Sequence, residues 1–176
     1  MTEARIHIRD LRDDDAGPVF EAIRESIDDV SPWLAALHAD ITLDDIRTDI
    51  AGQPKLREVR DAFNFAIVDE ADRIVGGCRL TSINWHHRFC NLYYWIRSSA
   101  TGRGAAVAAV RLIAGYGFEE LGLHRIEIVV DVDNARSQRV AKKVGARREG
   151  IARNRLSSND QPREACMYSL IPGEVG

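Results

Sequence analysis

A strand, a glycine-bearing loop and an amphipathic helix follow one another in the second half of the chain, and this succession constrains the fold most. The apolar and aromatic run from Phe89 to Arg97 predicts a strand. The loop reads Ser-Ala-Thr-Gly-Arg-Gly over residues 99–104, and the apolar stripe of Val110, Ile113 and Gly117 predicts a helix directly after it. Glycines let a backbone approach a ligand closely, and the unpaired amides at a helix start attract a negative group. The segment therefore predicts an anion site built from backbone at the start of this helix.

The rest of the chain alternates strand and helix patterns around this segment. Residues 63–68 and 74–83 predict a hairpin with a bulge at Gly76 and Gly77, and the strand from Phe89 extends it into an antiparallel meander. Further strands are predicted at residues 6–8, 124–131, 147–156 and 164–171, and further helices after Pro18, at Ser31–Leu34, from Thr42 as N-cap, and from Asn134 to Gly145. The order β-α-α-α-β-β-β-α-β-α-β-β predicts an α/β layout around one mixed sheet, in a single domain spanning residues 1–176.

The glycine loop is expected to hold a pyrophosphate on backbone amides. These amides belong to Thr101, Gly102, Arg103, Gly104, Ala105 and Ala106, and the Arg103 side chain would add a charged contact from the rim. Two other nucleotide sites are excluded, because a P-loop needs Lys-Ser or Lys-Thr after its glycines and a dinucleotide fingerprint needs glycine where Val107 stands. A tight turn that requires glycine explains the same residues equally well, so the loop alone leaves both interpretations open.

Residues 92–156 resemble the GNAT superfamily of acetyltransferases. The acetyl-CoA loop of that family, normally [Gln/Arg]-x-x-Gly-x-[Gly/Ala], is matched by residues 99–104, and the next helix and strand follow the same plan. Residues 133–146 are most similar to the branch that acetylates the N-terminal alanine of ribosomal proteins. In that branch an asparagine, and a serine three residues later, open a helix beside the pantetheine arm; Asn134 and Ser137 stand at those positions.

The resemblance implies a mostly antiparallel mixed sheet flanked by helices, with acetyl-CoA in a cleft between splayed central strands. Strand backbone near Trp95 and Ile96 would bind the pantetheine and polarise the thioester carbonyl. Asn134 would bind the pantetheine amide and Ser137 would donate a hydrogen bond to the departing sulfur. From the residues alone, helix N-cap is the commoner role for Asn134, and Ser137 is equally an ordinary helix-surface serine. The implied activity is acetyl transfer to a protein N-terminal α-amine or a small-molecule amine.

The chain departs from the family at the groups that move protons. Ala141 stands where many relatives have a tyrosine acid, and Asn91 where they often have an acidic residue. Ser99 stands at the first loop position, where the family normally has Gln or Arg, so one usual loop-stabilising side chain is missing. His86 and His87 are candidate bases because histidine titrates near neutral pH, although most loop histidines are simply solvated. We therefore expect no indispensable general base. A catalytically silent acyl-CoA-binding module is the second hypothesis, and CoA release in the presence of an amine distinguishes the two.

Three further groups of residues have weaker claims on function. Two acidic residues, Glu149 and Glu164, are exposed candidates for a base. Four aromatic residues either wall an acceptor pocket or pack in the core: Trp33, Trp85, Tyr93 and Tyr94. A basic run forms either a solvated strand edge or a contact for an acidic protein: Arg147, Arg148, Arg153 and Arg155.

The net charge and the cysteine spacing indicate which classes of partner and which cellular compartment are expected. The 176 residues carry a formal net charge of −3, which does not fit a chain organised around nucleic-acid phosphates. Charges interrupt the first ten residues, and no apolar run approaches the roughly 18 residues of a membrane span, so no signal peptide or membrane contact is expected. Cys78, Cys90 and Cys166 have no disulfide or metal spacing, which fits a reducing cytoplasm and no bound metal. The sequence leaves open whether the chain forms a homodimer, which amine accepts the acyl group and which acyl length is preferred.

Overall fold

The computed structural model describes residues 5–158 and 160–174, and these form one seven-stranded mixed sheet with helices on both faces. The strands are β1 (Ile6–Arg9), β2 (Phe63–Asp69), β3 (Ile74–Asn84), β4 (Phe89–Ile96), β5 (Arg125–Asp131), β6 (Arg147–Ser158) and β7 (Gln161–Leu170). The helices are α1 (Ala16–Val30), α2 (Leu43–Glu58), α3 (Ala105–Glu119) and α4 (Ala135–Lys143). The mostly antiparallel mixed sheet flanked by helices is thereby confirmed.

The strands lie in the order β1-β2-β3-β4-β5-β7-β6, and β4 with β5 is the parallel pair. Their pairing covers only residues 89–91 of β4 and 125–127 of β5. Beyond Asn91 and Glu127 the two strands separate, while β4 stays paired with β3 as far as Ile96. The sheet therefore forks at its centre, as expected for splayed central strands.

The two faces of the sheet carry separate apolar cores. On one face α3 buries Val110, Ile113, Ala114 and Gly117 against the central strands, which confirms the stripe predicted from the sequence. On the other face α1 and α2 pack on β2 and the start of β3, with Ile23 almost completely buried. No helix in the described ranges is long and apolar enough to cross a bilayer.

Two expected local features are wrong. Residues 31–40 form consecutive turns, not a helix, because Pro32 supplies no N–H and both Trp33 and Leu34 bond back to the Val30 carbonyl at 3.0 Å. Two helices, not three, therefore separate β1 from β2.

The second correction concerns the glycine pair in β3. The bulge lies at Val75, where the register passes from Ile67 opposite Gly76 to Val68 opposite Ile74. Gly76 and Gly77 instead give room to Trp95 of β4. A Cβ on Gly76 would collide with the Trp95 carbonyl oxygen, and one on Gly77 would lie 2.7 Å from the indole Nε1.

Candidate active site

A cleft of about 530 Å³ opens where β4 and β5 separate. Residues 92–96 form one wall and residues 128–131 the other, while the first turn of α3 and one face of α4 close one side. The turn at Pro32–Leu34 and the β6–β7 hairpin at Leu156–Ser158 border its mouth. The fork thus brings the glycine loop, the splayed strands and the Asn134–Ser137 segment to one site.

The peptide groups that face this cleft can be assigned from the strand register. Arg97 donates its backbone N–H to the Val75 carbonyl at 2.8 Å, so its amide points toward β3. Because peptide groups alternate sides along a strand, Trp95 also faces β3, and the N–H and C=O of Tyr94 and Ile96 face the cleft. The pantetheine contact predicted for the Ile96 backbone therefore stays a prediction. The second backbone contact is assigned to the peptide group of Tyr94, because that of Trp95 faces β3.

The loop before α3 adopts a conformation that requires its glycines. Gly102 has φ of 76° and Gly104 φ of 86°, both in the left-handed region. A 3₁₀ turn at Ser98–Ala100 leads into them, and Thr101 donates its hydroxyl to the Ser98 carbonyl at 2.9 Å. The tight-turn interpretation is therefore correct, and it does not compete with ligand binding, since the turn aims the helix start at the cleft.

The first amides of α3 are left for a ligand. Gly104 is the N-cap, and Ala108 is the first to bond back to its carbonyl, at 3.0 Å. The N–H groups of Ala105, Ala106 and Val107 therefore have no partner within the helix. Together with the helix dipole they favour a negative group at the cleft.

The Arg103 side chain does not border this cleft. It lies beside a neighbouring cavity with Arg73 and Arg97, on the other side of the loop. Arg97 is held there by Glu25, and Arg73 by Asp69. The charged rim contact predicted for Arg103 therefore stays a prediction.

The start of α4 positions two polar side chains at the cleft. The Asn134 Oδ1 accepts the Ser137 backbone N–H at 3.0 Å, which makes Asn134 the N-cap. Its Nδ2 group remains as a donor. The Ser137 Oγ lies 2.9 Å from the phenol oxygen of Tyr94, and all three side chains line the cleft.

The sequence offers Tyr94 only as an aromatic residue of a pocket wall or of the core, and it does not indicate the hydroxyl contact with Ser137. Burial raises the pKa of its phenol to about 12, although the hydrogen bond with Ser137 opposes the shift. The phenol is therefore protonated at any pH near neutrality. The strand pattern does not pair Tyr94 with Ser137, because the two residues are 43 positions apart in sequence.

The carboxylates of the cleft are engaged with arginines. A hydrogen bond from Ser98, supported by Arg136 at 2.9 Å, lowers the pKa of Asp29. Arg163 lowers the pKa of Asp131 through two hydrogen bonds of 2.9 Å. Each carboxylate is thus a weaker base than an ordinary aspartate.

The candidate bases from the sequence lie elsewhere. His86 and His87 are exposed at the β3–β4 turn, at the opposite end of β4 from the cleft, with their ring centres 4.5 Å apart. Arg125 holds Glu149, whose pKa is lowered to about 2, and Glu164 is exposed on β7. None of the four borders the cleft among the described residues.

The remaining candidate residues from the sequence differ in whether they line the cleft. Trp33, Tyr93 and Tyr94 line the cleft, whereas Trp85 donates to the Arg60 carbonyl and stacks on its guanidinium, outside the cleft. The arginine run lies on β6, the edge strand, and is exposed: Arg147, Arg148, Arg153 and Arg155. Asn91 and Ala141 are buried, and Cys78, Cys90 and Cys166 are free and buried.

Comparison with known proteins finds acetyltransferases that are similar to this chain over nearly its whole length. The family profile described as "Acetyltransferase (GNAT) domain" matches residues 5–147. A "Putative ribosomal N-acetyltransferase YdaF" of Bacillus subtilis (strain 168) is 30% identical over 174 residues, covering 96% of this chain and 92% of the relative. A spermidine N(1)-acetyltransferase of Escherichia coli (strain K12) is 28% identical over 123 residues, covering 65% of this chain and 66% of the relative. The solved structure of "Mycobacterium smegmatis RimJ in complex with CoA-disulfide" superposes with a TM-score of 0.89 at 22% identity, covering 99% of this chain and 88% of that one.

Proposed function

Since the chain belongs to the GNAT family of acetyltransferases, we propose that it transfers an acetyl group from acetyl-CoA to a primary amine. The amine attacks the thioester directly, and the acceptor is a protein N-terminal α-amine. The proposal takes residues 1–176 as one working domain, because a single sheet runs from β1 to β6. The three free, buried cysteines fit work in a reducing cytoplasm.

The residues of the cleft fit acetyl-CoA along its length. The amides from Gly102 to Ala106 hold the pyrophosphate at the start of α3, as the N–H groups without a partner in the helix favour. The Thr101 N–H, included in the prediction from sequence, already donates to the Ser98 carbonyl at 3.2 Å. The exposed peptide groups of Tyr94 and Ile96 hold the pantetheine and the thioester carbonyl along β4. A neighbour of similar fold has been solved with CoA-disulfide, which supports this cofactor.

The α4 residues complete the donor half of the site. Asn134 donates its free Nδ2 to a pantetheine carbonyl while its Oδ1 caps the helix. Ser137 donates a hydrogen bond to the sulfur as it leaves. Fixing both reactants in the cleft supplies much of the rate, and donors held in place at the carbonyl and the sulfur supply more.

The acceptor must lose a proton without help from a dedicated base. The cleft carboxylates Asp29 and Asp131 have lowered pKa values, and His86 and His87 lie at the far end of β4. An amine that is partly neutral near pH 7 is then favoured, which selects an α-amine of pKa ~8 over a lysine of ~10.4. The B. subtilis relative named for ribosomal proteins supports a protein N-terminus, and the E. coli relative named for spermidine keeps polyamines as the competing class.

The fork between β4 and β5, with the free start of α3 beside it, is the observation that carries the proposal. The test is release of free CoA from acetyl-CoA with two peptides of one sequence. One peptide has a free N-terminus and a blocked lysine; the other has a blocked N-terminus and a free lysine. We expect turnover with the first only. Steady turnover with spermidine alone would move the acceptor to polyamines, and tight CoA binding without turnover on any amine would make the protein a silent binder.

A further inference from the structure

Two hydroxyl groups from opposite sides of the fork meet inside the cleft. Tyr94 belongs to β4 and Ser137 to the first turn of α4, and their oxygens lie 2.9 Å apart, within the normal range of a hydrogen bond. Both side chains line the cleft, and each oxygen has the other as its partner among the described residues. This contact joins the strand that would carry the thioester to the helix that would carry the sulfur donor.

The direction of this hydrogen bond determines what Ser137 presents to a ligand. A serine hydroxyl has one hydrogen and two lone pairs, so it can accept from Tyr94 and donate elsewhere at once. The phenol is the stronger donor of the two and stays protonated, because burial raises its pKa to about 12. Its hydrogen therefore goes to the Ser137 Oγ, and the single hydrogen of Ser137 is left for the cleft.

We propose that Tyr94 is a positioning residue for the transfer reaction, and that its phenol aims and polarises the Ser137 hydroxyl toward the departing sulfur of CoA. This inference rests on the proposed acetyl transfer. A strand residue would then support the leaving group. Ala141, at the position where many relatives have a tyrosine, has no polar group for that role.

The step balances without a net proton from either hydroxyl. The amine nitrogen forms its bond to the acetyl carbon, the carbon–sulfur bond breaks, and the electron pair stays on sulfur as a thiolate. The amine proton leaves to solvent. Ser137 stabilises the thiolate by hydrogen bonding, and Tyr94 strengthens that bond because hydrogen bonds in a chain polarise one another.

A double-mutant cycle tests whether Tyr94 works through Ser137. We expect Tyr94→Phe to lower kcat about threefold with KM for acetyl-CoA unchanged, because its hydrogen bond acts on the sulfur only through Ser137. In a Ser137→Ala background the same substitution should have no further effect, because its route is already absent. Tyr116→Phe is the matched control, since that phenol accepts from Arg57 at 3.1 Å outside the cleft. Multiplicative losses, or a Tyr94→Phe loss larger than that of Ser137→Ala, would overturn the proposal.

A second measurement needs neither an acceptor nor turnover. The thiol pKa of bound CoA is read from the ultraviolet absorbance of the thiolate between pH 6 and 10, with the desulfo-CoA complex as the blank for protein tyrosines. The thiol pKa should be about half a unit higher in Tyr94→Phe than in the wild type, the equilibrium counterpart of a roughly threefold effect. Tyr116→Phe should match the wild type.

Equal thiol pKa values in the wild type and Tyr94→Phe would refute the pairing. The other outcome is that the thiol pKa differs between the wild type and Tyr94→Phe as expected, but the wild type acetylates no amine. That result would refute the proposed function and leave the pairing of Tyr94 with Ser137 intact.

Discussion

Asn134 caps α4 with one end of its amide and is proposed to bind the pantetheine with the other, and substitutions can separate these two roles. Its Oδ1 accepts the Ser137 N–H at 3.0 Å and caps α4. Its Nδ2 is the proposed donor to the pantetheine. Asn134→Ala removes both groups, whereas Asn134→Asp keeps an acceptor for the cap and removes only the donor. Comparing Asn134→Asp with the wild type therefore measures the donor, and comparing the two variants with each other measures the cap.

The effect on stability follows from the cap. Loss of an asparagine N-cap costs about 1 kcal/mol, and in a chain of this size that lowers Tm by about 2–4 °C. Asn134→Ala should show that decrease. Asn134→Asp should stay within about 1 °C of the wild type, because aspartate caps equally well and its charge suits a helix start.

The effect on catalysis follows from the donor. Both variants should lose about tenfold in kcat/KM for acetyl-CoA, the size of one hydrogen bond of about 1.4 kcal/mol. Ser137→Ala should lose less, because its hydroxyl only assists a thiolate that already leaves readily. Initial rates of CoA release at saturating acceptor, paired with thermal melts, provide the measurements. Wild-type kcat/KM in Asn134→Asp would show that Asn134 is a cap and nothing more, and greater damage from Ser137→Ala at equal Tm would reverse the two roles.

Three further outcomes are expected. Ala106→Asp should raise the Kd of acetyl-CoA at least about tenfold without lowering Tm, because a carboxylate in the first turn of α3 suits the helix but repels the pyrophosphate, and Ala106→Asn should bind nearly normally by calorimetry. The pH midpoint of kcat/KM should follow the pKa of the acceptor amine and be unchanged by His86→Ala and His87→Ala; one midpoint for two amines, lost in a histidine variant, would reveal a base. Burial opposes the ionisation of Asp15, but hydrogen bonds from Arg9 outweigh it and lower its pKa, so this pair stabilises above pH ~3.9 and is lost as pH falls further. Asp15→Asn should therefore be about 2 kcal/mol less stable at pH 7, a gap that narrows by pH 3 in denaturant titrations; an unchanged gap would contradict this.

The features predictable from sequence were those set by local periodicity and turn chemistry. The α3 stripe, the β5 alternation and the Thr42 cap follow from patterns a few residues long, and the structure has all three. The turns after Val30 were missed because an early proline is compatible both with a helix start and with a break. Only bonds back to Val30 distinguish the two, and those depend on how α1 meets its neighbours.

The parts of the site missed from sequence depend on register between distant strands. Alternation gives two faces for β4 but does not say which peptide groups face β3, so Trp95 and Tyr94 could not be separated. The register is set where Gly76 and Gly77 lie beneath Trp95, a steric fit between residues far apart in sequence. The Tyr94–Ser137 contact requires this register and the fork at Asn91 together.

The proposed donor and acceptor halves of the site lie on different elements, and this division would explain how one fold suits different amines. Groups proposed to hold acetyl-CoA come from β4, the start of α3 and the start of α4, where backbone geometry leaves little freedom. The mouth is bordered instead by Pro32–Leu34, in the connection between α1 and α2, and by Leu156–Ser158, the end of β6 at its hairpin with β7. Trp33 is 40% exposed there, so its replacement would disturb little packing. Relatives named for ribosomal proteins and for spermidine are then expected to differ most at this mouth, and exchange of the Pro32–Leu34 turn should alter the KM of the acceptor while leaving the Kd of acetyl-CoA unchanged.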